Sequence, residues 1–367
     1  MNQSPRILYF VKGGRNARLT KESPREFLYG YCDLIDMGCN IQIMMDSQVN
    51  LEKKFNKIQS GINTLLYFVF GIPGWSVIQL WRYKHYFNEV DLVFVSTNTF
   101  GLALGVLCRI GVIRSQVMYI AMGLVEPSTP RLWRYIFKWA LRDVKVLTLA
   151  QTDATNLSAT LDRHIPYLPF GVDKDFWQIG KYMTEDYVLS IGNDRHRDYE
   201  TLLSAWKPEF PPLLIVTRIP LKTSAQNIKI IEGDWHSQIL TDIEIRTLMQ
   251  KASFIVLPIK QTTQPSGQSS ALQAMACGKT VLITNFLGLW NRNLMLDGIN
   301  CIFTGLPGDV NALSAAVSEI CKHSDQKKII GSAARRIIEN ELNTKRMALY
   351  LYEHMESFIG KPLIAKS

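Results

Sequence analysis

The sequence predicts an α/β protein made of two doubly wound parallel sheets, and three observations carry that prediction. Short apolar runs without polar alternation recur from Arg6–Val11 to Thr280–Thr284, as strands buried on both faces require. Segments with apolar residues at helical spacing separate them. Near the middle Pro166, Pro169 and Gly171 interrupt the alternation, and the pattern restarts afterwards. At 367 residues, 47% apolar and 20% charged, the chain can fill two ordinary α/β domains, and its composition excludes a disordered or fibrous class.

The net charge is +9, and the excess belongs to the N-terminal half: residues 1–165 hold 19 Lys and Arg against 12 Asp and Glu. A basic surface attracts nucleic acid, anionic lipid or phosphorylated substrates alike. No nucleic-acid-binding signature accompanies it, so a nucleic-acid partner is not expected. Cys32, Cys39, Cys108, Cys277, Cys301 and Cys321 form no CxxC pair and read as reduced core thiols. The N-terminus has too short an apolar stretch for a secretory signal, so a cytoplasmic location is expected.

Taken in order, Arg6–Val11 reads as the first strand, and Gly13-Gly14 follows as a tight turn where backbone can approach a ligand. Glu26–Met37 reads as a helix stopped by Gly38, and Asn40–Met45 as a strand. Residues 58–81 carry no charge at all, which admits three readings: a membrane span, a membrane-surface hairpin or a buried helix pair. Gly71, Pro73 and Gly74 break the middle of that stretch and argue against a span; Tyr67, Phe68, Phe70, Trp75 and Trp81 lean toward an interfacial position. After strands at Asp91–Ser96 and Val117–Ala121, with a helix at Gly101–Arg109 between them, Arg131, Arg134, Lys138 and Arg142 share one helix face beside Trp and Phe. That face is either a solvated surface or a membrane-surface helix, so peripheral membrane contact through 62–86 and 131–142 is expected as a possibility. Val144–Ala150 closes the first half as a strand, followed by a helix at Asp153–Leu161.

The domains are expected at 1–166 and 167–345, with 346–367 forming a last helix that crosses back to the N-terminal domain. In the second half Tyr187–Gly192 reads as a strand and Asn193–Asp198 as a polar loop whose cations, Arg195 and Arg197, can hold a diphosphate bidentately. Strands follow at Leu213–Thr217 and Ile228–Glu232, and a helix at Ile243–Lys251. Phe254–Leu257 and Thr280–Thr284 are apolar strands flanking a helix at Ser269–Cys277, which a turn at Ser266-Gly267-Gln268 opens and Gly278 stops. A strand, a Gly/Ser turn and a helix place free N–H groups at a sheet edge, a natural phosphate site.

Gln273-Ala-Met-Ala-Cys-Gly-Lys-Thr-Val-Leu282 resembles the nucleotide-sugar-binding segment of family 4 (group 1) glycosyltransferases, and Leu168-Pro-Phe-Gly-Val-Asp173 is similar to that family's interdomain crossing. The resemblance implies a GT-B fold, two Rossmann-like domains facing a cleft, with an N-terminal acceptor-binding domain and a C-terminal nucleotide-sugar-binding domain. It implies a metal-independent, retaining transfer of a sugar from a nucleoside-diphosphate sugar, with no further cofactor, to a glycan or lipid-linked acceptor in cell-surface polysaccharide or glycolipid synthesis at the inner membrane face. It assigns donor contacts to Gly13, Gly14, Asn193, Arg195, Arg197, Gly233, Ser266, Gly267, Gln268, Ser269, Ser270 and Gln273, with Arg197 and Gln268 in catalytic roles. The family's two glutamates, eight residues apart, are absent: Pro265 and Gln273 stand there. The amide oxygen of Gln273 can still accept ribose hydroxyls, more weakly than a carboxylate. Glu126 is a candidate general base by position alone, and Asp173-Lys174-Asp175, though spaced like a metal motif, belongs to the linker. The missing carboxylates also admit an alternative, a non-catalytic nucleotide-sugar-binding subunit.

Overall fold

Apolar runs too short to alternate their faces are stable only when both faces are covered, and the computed structural model of the chain places them that way. It describes residues 4–13, 19–20, 22–49, 64, 66–181, 184–233 and 240–364. The chain divides into two units, one of Met1–Leu19, Phe27–Leu168 and Met347–Ser367, the other of Thr20–Glu26 and Pro169–Arg346.

The first unit runs β1 (Ile7–Val11), α1 (Tyr31–Asp36), β2 (Ile41–Met45), α2 (Gly74–Arg82), α3 (Lys84–Asn88), β3 (Leu92–Val95), α4 (Asn98–Arg109), β4 (Gln116–Ala121), α5 (Arg131–Ala140), β5 (Val144–Thr148) and α6 (Gln151–Leu161). Its described strands form one parallel sheet in the order β2-β1-β3-β4-β5. Every side chain of β1 and β3 is buried, each of these large apolar groups contributing about 1.5–3 kcal/mol.

One expectation changes here. Glu26–Met37 is not one helix: a 3-10 turn over Glu26–Leu28 ends at Tyr29 and Gly30, both left-handed at φ 48° and 73°, before α1 begins. A Cβ on Gly30 would stand 3.0 Å from Ala348, so close packing against the last helix sets that break. The uncharged stretch is likewise divided. Residues 66–70 are helical, Gly71 turns the chain at φ 67° and α2 follows Pro73. No described helix is long and apolar enough to cross a membrane.

The second unit continues with β6 (Val188–Ile191), α7 (Tyr199–Ala205), β7 (Leu213–Thr217), β8 (Ile228–Glu232), α8 (Asp242–Lys251), β9 (Phe254–Leu257), α9 (Gln268–Ala276), β10 (Val281–Ile283), β11 (Ile302–Phe303), α10 (Val310–Lys322) and α11 (Ser324–Asn340). Its sheet is parallel in the order β11-β10-β9-β6-β7-β8, so the winding direction reverses between β6 and β9. The final helix, α12 (Thr344–Ile359), starts in this unit and continues in the first. Burial pushes the Cys277 and Cys301 thiols up to about 12, as expected of inert core sulfurs, and none of the six cysteines forms a disulfide.

The residues that follow the linker prolines are pinned to the chain before α12. Val172 donates to the Leu342 carbonyl at 2.9 Å, Thr344 donates back to Val172 at 3.2 Å, and Gly171 lies so near this strand that a Cβ would fall 2.0 Å from the Asn343 oxygen. Both sides of that contact are backbone, which cannot swing away. The Gly171→Ala substitution is therefore expected to destabilise by about 1–3 kcal/mol or more, measured as a lowered denaturation midpoint with an unchanged denaturant slope.

Candidate functional site

Where a doubly wound sheet reverses direction, the loops leaving adjacent strands part and leave a crevice at the carboxyl edge. In the second unit these are the loops after β6 and β9. They are locked together by backbone: Asp198 donates to the Pro258 carbonyl at 3.0 Å, Lys260 donates to the His196 carbonyl at 2.7 Å, and Arg197 and Ile259 form an antiparallel bridge. Asp198 caps α7 by accepting from the Thr201 amide and hydroxyl.

This frame holds the Arg197 side chain between two glycines. A Cβ on Gly192 would lie 1.9 Å from its Nε, and a Cβ on Gly267 would lie 2.9 Å from its Nη1. Arg197 is only 5% exposed. Its Nη2 donates to Ser270 Oγ at 3.1 Å, and Asp194 Oδ2 lies 3.1 Å from Nε, an ion pair by distance whose N–H is not aligned on the oxygen. Among the described residues Nε and Nη1 have no hydrogen-bond acceptor. A buried guanidinium with unmet donors is chemically suited to an anion, because leaving a charged group unsatisfied costs more than an ordinary hydrogen bond returns.

The start of α9 adds to it. Gly267, left-handed at φ 77°, is the N-cap residue; no side chain caps the helix, and no acidic residue occupies its first turn. The positive helix end therefore faces Arg197 without a carboxylate of its own. Ser266 bonds the Asp194 carboxylate and is buried; Gln268 is buried, and Ser269 and Ser270 are half-buried on the first turn. Arg197, Ser266, Gly267 and Ser270 are thus in one place.

The other predicted residues divide. Asn193 is exposed and accepts from the Arg218 amide at 2.8 Å, bracing the loop. Arg195 is exposed with its Nε 3.0 Å from His196 Nε2. Gly233 donates to the Thr217 carbonyl at 2.9 Å just beyond β8. Gly13, in the first unit, donates its amide to Asp46, whereas Gly14 lies outside the described residues. Gln273 is buried, and its amide nitrogen donates to Glu26 Oε1 at 2.9 Å. Glu26, fully buried, was not singled out from the sequence as anything but a helix start. Burial pushes its carboxyl up, opposed by bonds from Gln273, Trp177 and Asp173. Asp194 and Gly192 were also missed, although both lie in the loop and strand end that flank Arg197.

In the first unit Glu126 is half-buried beside a cavity of about 420 Å³ that Arg131, Arg134, Lys138, Asn156 and Asp162 also line. Deeper lies Asp153, fully buried at the start of α6, accepting from the Gly123 amide at 2.7 Å with Oδ1 unpartnered among the described residues. Burial raises its carboxyl to about 7, with Glu126 adding to the rise. No described group of His, Cys, Asp and Glu is arranged to hold a metal ion.

The geometry predicts that inorganic pyrophosphate alone binds the second unit. At a hundredfold excess over its Kd it is expected to stabilise the protein by about 2.7 kcal/mol, read as a rise in Tm. The Arg197→Gln variant should lose the rise.

The profile of the group 1 glycosyl transferases matches residues 186–323, the span that contains this site. No curated protein matches the chain. Solved structures do. A glycosyltransferase from Rickettsia africae superposes with a TM-score of 0.70 at 13% identity, covering 98% of this chain and 99% of that one. Sucrose-phosphate synthase from Thermosynechococcus elongatus gives 0.72 at 15% identity, covering 97% and 99%. Anabaena HepE in complex with UDP and glucose gives 0.66 at 15% identity, covering 96% and 100%. The fold is GT-B, and residues 186–323 of its second unit match the group 1 glycosyl transferase profile, a likeness that supports nucleotide-sugar glycosyl transfer.

Proposed function

We propose that the protein is a glycosyltransferase that moves a sugar from a nucleoside-diphosphate sugar to a hydroxyl of a glycan or lipid-linked acceptor, with retention and without a metal ion. The observation that carries this reading is the buried Arg197 guanidinium, held by Gly192, Gly267 and Ser270 with Nη1 unpartnered among the described residues, at the uncapped start of α9. In the transfer the bond from the anomeric carbon to the diphosphate oxygen breaks, and a bond to the acceptor oxygen forms on the same face. The hydroxyl proton leaves with the phosphate. Negative charge grows on the departing diphosphate, and preorganised donors aimed at that charge stabilise it most. Arg197 and the first amides of α9 supply such donors without an added cation. Gln268 and Ser269, at the same helix start, are the residues we assign to the sugar or its phosphate. UDP in Anabaena HepE makes a uridine nucleotide the first to try.

The acceptor is assigned to the first unit, and its surface favours an anionic membrane face on the cytoplasmic side, as in cell-surface polysaccharide or glycolipid synthesis. Tyr67, Phe68 and Phe70 are exposed on the helical residues 66–70, and Leu132, Tyr135 and Trp139 are exposed on α5 beside Arg131 and Arg142. Trp133 donates to the Val69 carbonyl at 3.1 Å and packs on Tyr67, so the two segments form one surface. Each cation near anionic lipid contributes on the order of 1 kcal/mol. The protein is expected to sediment with phosphatidylglycerol vesicles but not phosphatidylcholine ones, and to lose binding when Arg131 and Arg142 are both changed to Glu.

The absence of carboxylates at 265 and 273 favours a second reading, a non-catalytic nucleotide-sugar-binding subunit. Incubation with UDP-, GDP- and ADP-sugars separates the two. Release of nucleoside diphosphate from one donor, reduced about a hundredfold or more in Arg197→Ala, is the expected result. Binding without release, even with lipid extract added, would establish the subunit instead.

A further inference from the structure

Glu26 is a carboxylate without a cation. It is fully buried, and its partners are neutral N–H donors, its own backbone amide and three others: Trp177 Nε1 at 2.8 Å and Gln273 Nε2 at 2.9 Å, both on Oε1, and the Asp173 amide at 3.3 Å on Oε2. Among the described residues no Lys, Arg or His pairs with it. All of these groups belong to the second unit. Such a carboxylate is costly to bury, and nothing in the phosphate chemistry of the site uses it.

Its effect on Gln273 is specific. A carboxylate oxygen accepts and an amide nitrogen donates, so contact with Glu26 fixes which end of the Gln273 amide is which. The nitrogen must face Glu26, and the oxygen is left as the end that a ligand's donor can use. Gln273 stands three residues after Ser270 and four after Ser269, on the same face of α9 as the anion site. An acceptor there recognises hydroxyl groups. It does not recognise phosphate oxygens, which only accept.

We propose that Glu26 is a positioning residue of the donor site: it holds the Gln273 amide in the one orientation that offers an acceptor to the hydroxyls of the nucleotide or its sugar. The inference rests on the nucleotide-sugar reading and deepens it by dividing the site into a phosphate part and a hydroxyl part. It also gives a physical reason why residue 273 is not a carboxylate. A Glu there would bring two carboxylates to about hydrogen-bond distance with no described cation paired to Glu26, where both cannot readily ionise together. One carboxylate and one amide is the stable combination, and in this chain the carboxylate is at 26.

Titration calorimetry with two probes, UDP (or the diphosphate of the released nucleotide) and inorganic pyrophosphate, tests the division. The Glu26→Gln variant lets either end of each amide face the other, so about half the molecules present the acceptor and the UDP Kd is expected to rise about twofold while the pyrophosphate Kd is unchanged. Gln273→Glu alone should weaken UDP binding and lower Tm. The double exchange Glu26→Gln/Gln273→Glu restores one carboxylate and one amide, and is expected to recover most of both. Equal loss of UDP and pyrophosphate in Glu26→Gln would reduce Glu26 to a packing residue and overturn the inference, as would an unchanged UDP Kd or a double exchange no better than additive. If the unaltered protein binds pyrophosphate and no nucleotide, the proposed function fails, and this inference with it.

Discussion

A guanidinium buried to 95% has to be surrounded by groups that replace water, and the second unit is built around that demand at Arg197. The reversal of strand order between β6 and β9 opens the space, and the backbone bonds between the two loops keep it at a fixed width. Glycine at 192 and 267 lets the plane of the guanidinium lie against backbone on two sides, closer than any side chain would allow. Asp194, itself partly exposed, supplies charge without good alignment, and Ser270 takes one N–H. Protein groups thus satisfy the cation only in part, which is the condition under which an anion binds with net gain.

The same principle of incomplete satisfaction runs along α9. A helix of this kind often carries a capping carboxylate, which would neutralise the anion site in advance. Here Gly267 caps by conformation and contributes no charge, while Ser266 is turned to Asp194. The nearest buried carboxylate to the helix, Glu26, is placed against Gln273 on its second turn, with Trp177 and the Asp173 amide supplying further donors. The first turn of α9 therefore carries no carboxylate of its own; the charge near its start is that of Asp194, shared between Ser266 and Arg197, and Glu26 meets the helix only at its second turn.

How much of this was legible depends on how local each signal is. Strands such as Ile7–Val11 and Phe254–Leu257 are read correctly because both-face burial leaves an unbroken apolar run within a few residues. Arg197 and the α9 start stood out because a strand, a polar loop and a Gly/Ser turn are contiguous patterns. Glu26 did not, since it lies 247 residues from Gln273 and its neighbours carry no motif. The helix expected over 26–37 breaks because of Ala348, contributed by the far end of the chain, and no local propensity encodes that contact. Gln273 was read as a weakened ligand for hydroxyls; only the position of Glu26 shows that its nitrogen is already committed. Gly14 and part of the stretch 62–86 lie outside the described residues.

Charge alone would suggest that α5 is the strongest anion-attracting element of the first unit, but its cations are not equivalent. Arg134 is spent on the carbonyls of Glu126, Pro127 and Thr129, and Lys138 on Asp162. These four bonds fasten the helix to its own loop and to the end of α6, and they lower the charge available to a partner. What remains outward is Arg131 at the start of α5 and Arg142 two residues past its end, with Leu132, Tyr135 and Trp139 between them. Attraction at such a face therefore depends on apolar burial as much as on charge. An interface that accepts both rings and cations would cover them. Under the membrane reading proposed above, the carbonyl bonds of Arg134 and the Lys138–Asp162 pair leave Arg131, Leu132, Tyr135 and Trp139 as the part of α5 that an amphipathic interface would cover.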